Sequence, residues 1–124
     1  MTARRPDLQD LLPLGATEFH VLLALMDGAR YGYAIMKTVD AESGGRISPE
    51  IGSLYRMLAR LMSGGLVEET DAPRDAEPTH PGRDRRYYRL TSRGRAVALA
   101  EARRLRAVLD LAATRKLVSG RGAP

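Results

Sequence analysis

The spacing of apolar residues along the chain predicts a series of short helices in its first half. Residues 17–26 repeat apolar side chains every three or four positions, which places them on one face of a helix. Asp27 and Gly28 end this helix. The same spacing predicts a second helix over residues 31–42, which a serine and two glycines interrupt. A short helical turn is also expected over residues 7–12, which Pro13 and Gly15 end.

The third predicted helix has the most distinct boundaries. Ser48 suits an N-cap, Pro49 fits the first helical position, and Glu50 places a negative charge near the positive end of the helix dipole. Gly64 and Gly65 end it. The predicted buried face consists of Leu54, Met57, Leu58 and Leu61. The opposite face is small, polar and basic, and consists of Ser53, Arg56, Arg60 and Ser63. Such a face suits a helix that lies in the major groove of DNA, where side chains must reach base edges.

Two short strands are predicted after the third helix. Residues 66–70 and 85–90 contain β-branched or aromatic side chains with polar alternates, and together they predict a β-hairpin. The connection between them, residues 71–84, is long, rich in proline and mixed in charge. Arginines flank the second strand at Arg83, Arg85, Arg86 and Arg89. Three helices followed by a basic hairpin are the order of a winged helix-turn-helix, which places its third helix in the major groove.

A long final helix is predicted from Thr91 or Ser92 to residue 118. Its apolar residues alternate spacings of four and three, as in a coiled coil, and Val108 and Leu111 broaden the stripe. The stripe consists of Ala98, Ala102, Leu105, Leu109 and Ala112. A helix of this length either folds wholly onto its own domain or pairs its far end with a second copy. We favour pairing, because two-fold dimers are the commonest assemblies.

Composition and charge narrow the possible functions. The 124 residues suffice for one compact core, and the net charge is +5. Residues 83–116 carry eleven basic and three acidic side chains, whereas residues 1–82 carry eight and twelve. This asymmetry favours a polyanionic partner such as nucleic acid. The chain lacks both a run of eighteen apolar residues and a secretory signal near its start, so we expect a cytoplasmic protein without membrane contact.

Catalysis and metal binding find no support in the sequence. There is no cysteine, which excludes disulfides, thiolate metal sites and cysteine nucleophiles. His20 and His80 are far apart and neither has a carboxylate at metal-ligand spacing. The serines lack a nucleophile elbow, and no phosphate-binding glycine loop is present. We therefore expect no cofactor, no metal site and no enzymatic activity.

Five linked motifs resemble those of the PadR family of transcriptional regulators. They are LLAL at 22–25, YGYAI at 31–35, GSLY at 52–55, GLV at 65–67 and RYYRLT at 86–91, the last followed by Gly94. The final helix resembles the single dimerisation helix of the short members. The resemblance implies a homodimeric repressor that a small molecule releases from its operator. It also places Ser53, Tyr55 and Arg56 in the recognition-helix motif, Arg86 at the wing and Tyr33 near the DNA backbone.

The sequence departs from the family pattern in three respects. Glu50 and Ile51 occupy positions that are usually small or proline-like, and Glu50 would repel phosphate unless it accepts a hydrogen bond from a cytosine amine. The wing loop is longer and more acidic than usual. The chain also has no tryptophan, so the binding of flat aromatic drugs between tryptophans, known in some short members, does not carry over.

These observations together predict a mainly α-helical winged helix-turn-helix protein with a small β-hairpin and a long C-terminal dimerisation helix. The predicted divisions are an N-terminal arm (1–15), a DNA-binding domain (16–91), a dimerisation helix (92–118) and a tail (119–124). The predicted DNA-binding residues are Tyr33, Ser48, Ser53, Tyr55, Arg56, Arg60, Arg83, Arg85 and Arg86. The predicted interface for the dimer and a small apolar or aromatic effector consists of Leu8, Leu11, Leu12, Phe19, Leu23, Leu105, Val108, Leu109 and Ala112.

The expected function is sequence-specific repression by a homodimer bound to a palindromic operator in double-stranded DNA. Two alternatives remain open at this point. One is a winged-helix module that docks on another protein, because the third helix carries little net charge. The other is a ligand-sensing dimer with weak DNA binding.

Overall fold

The computed structural model describes residues 7–74 and 86–118 of the chain. A short 3-10 helix, Leu8–Leu11, comes first. The helices that follow it are α1 (Ala16–Ala24), α2 (Gly32–Glu42), α3 (Ile51–Ser63) and α4 (Ser92–Thr114). The strands are β1 (Arg30–Tyr31), β2 (Val67–Thr70) and β3 (Tyr87–Leu90). The predicted fold class, a winged helix-turn-helix followed by a long helix, is confirmed.

One aliphatic core holds the helices and the sheet together. In α2 and α3 the core residues are those that the periodicity placed inward, because a 3.6-residue repeat aligns them on one face. In the first predicted helix the buried face was wrong in part, because Leu23 and Met26 are each 38% exposed whereas Val21 and Leu25 are buried. The fully buried aliphatic side chains of the helices include Val21, Leu22, Ile35, Val39, Leu54, Leu58 and Val97. The sheet adds Val67, Tyr88 and Leu90 to the same cluster. The first half of α4 therefore packs into the core that α1, α2 and α3 share.

The predicted start of α3 was wrong by about two residues. The N-cap is Glu50 and the first helical residue is Ile51, whereas Ser48 and Pro49 remain outside the helix. The Ser48 hydroxyl donates a short hydrogen bond to a carboxylate oxygen of Asp40 in α2. Because its side chain is engaged in that contact, Ser48 joins the loop to α2 and does not cap α3.

The sheet has one strand more than the sequence predicted. β1 pairs with β3 in the antiparallel order β1-β3-β2, with Arg30 opposite Tyr88 and Tyr31 opposite Tyr87. The Arg30 Nε donates to the carbonyl of Ala24 at 2.7 Å, which satisfies a free acceptor at the end of α1. Two residues are too few to show an alternating pattern, so β1 escaped prediction.

The end of α3 and the start of α4 are joined by backbone and side-chain hydrogen bonds. Gly65, with a φ of +77°, turns the chain after α3. The carbonyl of Leu66 accepts from the Thr91 backbone N–H at 3.0 Å. The Thr91 hydroxyl donates to the Gly65 carbonyl at 2.6 Å and accepts from the N–H of Gly94 at 3.0 Å. A Cβ at position 94 would lie 2.1 Å from the Leu66 carbonyl oxygen, so this close approach requires glycine. We call this contact the α3–α4 joint.

The second half of α4 extends away from the core. Val97, Ala98 and Glu101 are buried, whereas Leu105, Val108 and further apolar residues beyond them are exposed. The predicted stripe thus divides near residue 101 into a part that is buried in its own domain and a part whose large apolar side chains remain 39–50% exposed at Leu105, Val108 and Leu109. Within the described residues, no helix is long and apolar enough to cross a membrane.

Candidate nucleic-acid interface

The outward face of α3 is narrow, small and centred on one arginine. Gly52, Arg56, Ala59 and Ser63 follow one another at spacings of four, three and four and are all exposed. At about 100° per residue they lie on one side of the helix, opposite the buried leucines. Three of the four have little or no side chain. The helix backbone can therefore approach a surface closely, with Arg56 as the long side chain at the centre of the contact.

Arg56 is held by its neighbour one turn earlier. Its Nη2 donates to the hydroxyl oxygen of Ser53 at 3.0 Å, and both side chains are exposed. A guanidinium already restrained in this way loses less rotamer entropy when it contacts a base or a phosphate. Arg60 is also exposed and lies on the same side of α3 as Ser53. The predicted residues Ser53, Arg56 and Arg60 are therefore brought together on one accessible surface.

The first turn of α3 carries the two residues that depart from the family pattern. Glu50 is the exposed N-cap, and its side chain makes no capping hydrogen bond. Ile51 follows it and is 40% exposed. Gly52 has only the Arg56 guanidinium within 4 Å of the place where a Cβ would be. Both departures thus lie at the accessible tip of the helix.

Two of the predicted DNA-contacting tyrosines make contacts within the protein. A Cβ at Gly32 would lie 2.7 Å from the Tyr55 hydroxyl, so the ring of Tyr55 packs directly on the start of α2. This contact fixes the approach of α2 to α3. Tyr33, in the first turn of α2, is half-buried, and the Lys37 ammonium lies 5.1 Å from the centre of its ring.

The wing arginines within the described residues pair with glutamates across the hairpin. Arg89 Nε lies 2.9 Å from a carboxylate oxygen of Glu68, its partner in the strand register, and Arg86 lies 3.9 Å from Glu69. All four side chains are about half exposed, so each pair contributes little to stability and can exchange for a phosphate. In the described part of the hairpin, the charges of Arg86 and Arg89 are therefore balanced by the two glutamates. Arg83 and Arg85 lie outside the described residues.

The predicted interface residues fall into two groups. Leu8, Leu11, Leu12 and Phe19 are partly buried and pack against the core of their own chain. Leu23, on α1, and the apolar residues in the second half of α4 are more exposed. Among the latter, Leu109 is 50% exposed. The contribution of both groups to a dimer stays a prediction.

A cavity of about 240 Å³ lies between the N-terminal arm, α1, the end of α3 and the start of α4. Its walls are mainly apolar, with three charged side chains. The lining residues are Leu11, Leu14, Glu18, Arg60, Leu61, Gly64, Leu66 and Arg93. Of these, Leu11 was predicted for an effector site and Arg60 for DNA contact. The cavity therefore adjoins the outward face of α3, a relation that periodicity alone does not predict.

A buried carboxylate connects α4 to the N-terminal arm. Glu101 is 2% exposed, and its Oε2 accepts from the Leu14 backbone N–H at 3.2 Å. Arg104 donates to the same carboxylate from Nε at 2.6 Å and from Nη2 at 2.9 Å. These hydrogen bonds from Arg104 lower the pKa of Glu101 despite its burial, and they raise the pKa of Arg104. The i, i+3 spacing of Glu101 and Arg104 is a signal of this pair that the sequence already contains.

The family model that matches the chain decides the classification. The model of the transcriptional regulator PadR-like family matches residues 21–100, which include α2, α3, the strands and the first part of α4. The chain belongs to the PadR-like family of transcriptional regulators. PadR-like regulators bind DNA, and the surface of α3 described above lies within the matched region.

Individual proteins are similar to the chain in sequence or in fold. A 37.1 kDa protein of transposon TN4556 from Streptomyces fradiae is 40% identical over 82 residues, which are 66% of this chain and 21% of that protein. The chain thus spans about a fifth of the length of that relative. A PadR family transcription regulator from Clostridium difficile has a similar fold, with a TM-score of 0.64, 21% identity and coverage of 84% of this chain and 100% of that one.

A second solved structure, a mutant of MarR from Escherichia coli, has a TM-score of 0.66 at 24% identity, covering 90% of this chain and 72% of that one. At these identities both solved structures support the fold alone. The predicted family and the winged-helix fold class are confirmed.

Proposed function

We propose that this PadR-like regulator is a transcriptional repressor, not an enzyme, and that it binds a palindromic operator as a homodimer with α3 in the major groove. The observation that carries the proposal is the outward face of α3, where Arg56 stands among Gly52, Ala59 and Ser63. The absence of bulky apolar side chains there permits close approach to base edges, and arginine pairs with guanine through two hydrogen bonds. Ser53 and Arg60 flank this arginine and would contact bases or phosphates.

The proposed dimer forms through the second half of α4. Leu105, Val108 and Leu109 repeat at helical spacing on a stretch that its own domain leaves uncovered. Pairing these residues with the same residues of a second copy removes their apolar surface from water. A two-fold dimer presents two copies of α3, and these match half-sites about 34 Å apart, one turn of DNA.

The proposed release step uses the cavity beside α3. A small molecule with an apolar body fits a space of about 240 Å³ whose walls are formed by leucines from the arm, α3 and the following turn. Arg60 and Gly64 connect this space to the recognition helix. Occupancy that shifts the arm or α3 would favour a dimer whose recognition helices no longer match the half-sites. This location is within one protomer and differs from the dimer-interface location expected from the sequence.

The test is a fluorescence-anisotropy titration on the DNA upstream of the protein's own gene and on a shuffled fragment, at two salt concentrations. We expect the wild type to bind the upstream fragment selectively at the higher salt. Arg56→Ala should weaken that binding by roughly 5- to 150-fold if the side chain contacts a guanine through two hydrogen bonds. Arg106→Ala, which removes an exposed arginine of α4, is the matched control for the loss of one positive charge.

Two results would contradict the proposal. Equal binding to both fragments that disappears at the higher salt indicates a nonspecific electrostatic attraction, and it would favour a winged helix that docks on a protein. If the folded Arg56→Ala and Arg106→Ala variants bind the operator alike, α3 does not read bases through Arg56.

A further inference from the structure

The first residue of α3 is an isoleucine that its own fold covers only in part. The leucines of α3 at positions 54, 58 and 61 are buried, whereas Ile51 is 40% exposed. A β-branched residue is also a poorer helix former than alanine or glutamate, so helix propensity does not favour it at this position. Ile51 lies three and seven residues before the buried Leu54 and Leu58 and so extends their apolar stripe, but the core covers it only in part.

The position of Ile51 at the start of α3 indicates a role for its accessible part. Ile51 is the first residue of α3, and the N-terminal residues of a recognition helix are those that contact base edges. Gly52 follows it and adds no bulk, and Glu50 before it leaves the cap without a side-chain hydrogen bond. An accessible aliphatic side chain at this tip would meet the floor of the major groove.

We propose that Ile51 selects a thymine in each operator half-site by packing on its C5-methyl group. The methyl group of thymine is the one apolar group that the four bases present in the major groove, where the other edges offer hydrogen-bond donors and acceptors. An aliphatic side chain buried against any other base would remove a polar edge from water without a partner. This inference rests on the proposed function and adds a base preference to it.

The helix geometry also limits where that thymine lies. Arg56 is five residues after Ile51, a rise of about 7.5 Å along the helix. Successive base pairs are about 3.4 Å apart. Because the two residues also differ by about 140° around the helix axis, the thymine that contacts Ile51 lies within a few base pairs of the base that contacts Arg56.

The experiment removes only the methyl group. In an operator that the wild-type protein binds selectively, each thymine is replaced in turn, in both half-sites, by deoxyuridine, which keeps base pairing and the O4 acceptor. Anisotropy titrations are then made with the wild type, Ile51→Ala and Leu99→Ala, the last being a control that truncates an exposed leucine of α4. Circular dichroism verifies that the variants are folded.

We expect one thymine position, near the Arg56 contact, at which deoxyuridine weakens wild-type binding by roughly 4-fold for each half-site, the effect of one buried methyl group. Ile51→Ala should bind the original operator more weakly and be insensitive to deoxyuridine at that position. Leu99→Ala should keep the full sensitivity of the wild type. This pattern is a double-mutant cycle between one side chain and one methyl group.

Other outcomes overturn the inference. If no thymine position responds to deoxyuridine, or if Ile51→Ala responds as strongly as the wild type, Ile51 does not contact a thymine methyl while selective binding of the operator stands. An operator whose half-sites contain no thymine near the Arg56 contact has the same meaning. If the wild type binds no DNA selectively, the proposed function fails together with this inference.

Discussion

The substitution Glu101→Gln tests whether the buried carboxylate holds the N-terminal arm against α4. Glutamine has nearly the same volume but is neutral, and its amide offers one acceptor oxygen where the carboxylate offers two. The carboxylate accepts three hydrogen bonds, one from Leu14 at 3.2 Å and two from Arg104 at 2.6 and 2.9 Å. Whichever way the amide turns, its NH₂ group faces a donor.

The expected loss of stability follows from these contacts. A hydrogen bond to a charged group contributes about 1.5–3 kcal/mol, and leaving a buried donor without an acceptor costs about 1–3 kcal/mol. Because part of the Arg104 side chain reaches solvent and can be hydrated, we expect the lower part of this range. Glu101→Gln should therefore lower the free energy of unfolding by about 2 kcal/mol at neutral pH.

The direction of the pKa shift predicts how the stability difference between wild type and Glu101→Gln changes with pH. The pKa of Glu101 is lower in the folded protein than the ordinary carboxyl value of 4.5. The carboxylate therefore contributes its full stabilisation above pH 4.5 and loses it as the pH falls through the lowered, folded-state value. The difference between wild type and Glu101→Gln should accordingly be largest near neutral pH and shrink in acid.

Urea denaturation at a fixed protein concentration, at pH 7 and at a series of acidic pH values, measures both quantities. Hydrogen exchange at the Leu14 amide gives a local readout, since this N–H should exchange faster once its acceptor is weakened. Glu42→Gln, an exposed carboxylate of α2, is the matched control. Equal stability of Glu101→Gln and wild type at pH 7, or a difference that grows in acid, would refute the reasoning.

Two further predictions concern the dimer and the cavity. Leu109→Asp places a charge on the exposed apolar part of α4 and should convert the proposed dimer to monomers in analytical ultracentrifugation. The control Arg103→Asp, at a solvent-exposed position of the same helix, should leave the dimer intact. A Leu109→Asp variant that remains dimeric would show that this face is not the interface. Leu11→Trp places a large side chain at the wall of the 240 Å³ cavity. It should abolish the thermal shift that any small organic ligand identified by screening produces in the wild type, and a ligand that still binds the folded variant would bind elsewhere.

Periodicity predicted the buried faces of α2 and α3 because each of these helices buries a continuous aliphatic stripe, whereas in the first predicted helix it placed the exposed Leu23 and Met26 on the buried face. Leu54, Leu58 and Leu61 are spaced for one face of α3 and are all buried there. The same regularity failed at the boundaries, where individual side chains decide the conformation. Ser48 has the chemistry of an N-cap, yet its hydroxyl bonds to Asp40, a residue eight positions earlier that a local pattern does not bring near.

The pattern of residues along the chain likewise did not predict contacts between distant segments. β1 exists because Arg30 and Tyr31 pair with β3, almost sixty residues later, and two residues have no periodicity of their own. The balance of charge on the wing depends on the register that sets Arg89 beside Glu68. A count of charged residues along the chain makes the segment from 83 to 116 strongly basic. In the fold, acidic residues of β2 lie beside two arginines of this segment, and a count along the chain does not show this.

The sequence predicted only part of the candidate site, because the rest depends on contacts between distant segments. The family motifs and the polar face of α3 located Ser53, Arg56 and Arg60, all of which are exposed on one surface. The packing of Tyr55 against Gly32 depends on the angle between α2 and α3, which the sequence does not state.

In the proposed dimer, the α3–α4 joint makes the length of α4 determine the distance between the two copies of α3 and hence the operator spacing that they match. Thr91 and Gly94 hold the start of α4 tightly against the turn after α3, so the two helices keep a fixed orientation relative to each other. Each residue inserted into α4 beyond Glu101 rotates the distal end by about 100° and advances it by about 1.5 Å. In a dimer paired through that end, one inserted residue rotates the second copy of α3 away from the side of the DNA that carries its half-site. Seven inserted residues bring the second α3 back to within about 20° of its original orientation. In the proposed dimer, the preferred operator spacing should therefore change with insertions of seven residues into α4, without any change to a residue that is proposed to contact a base.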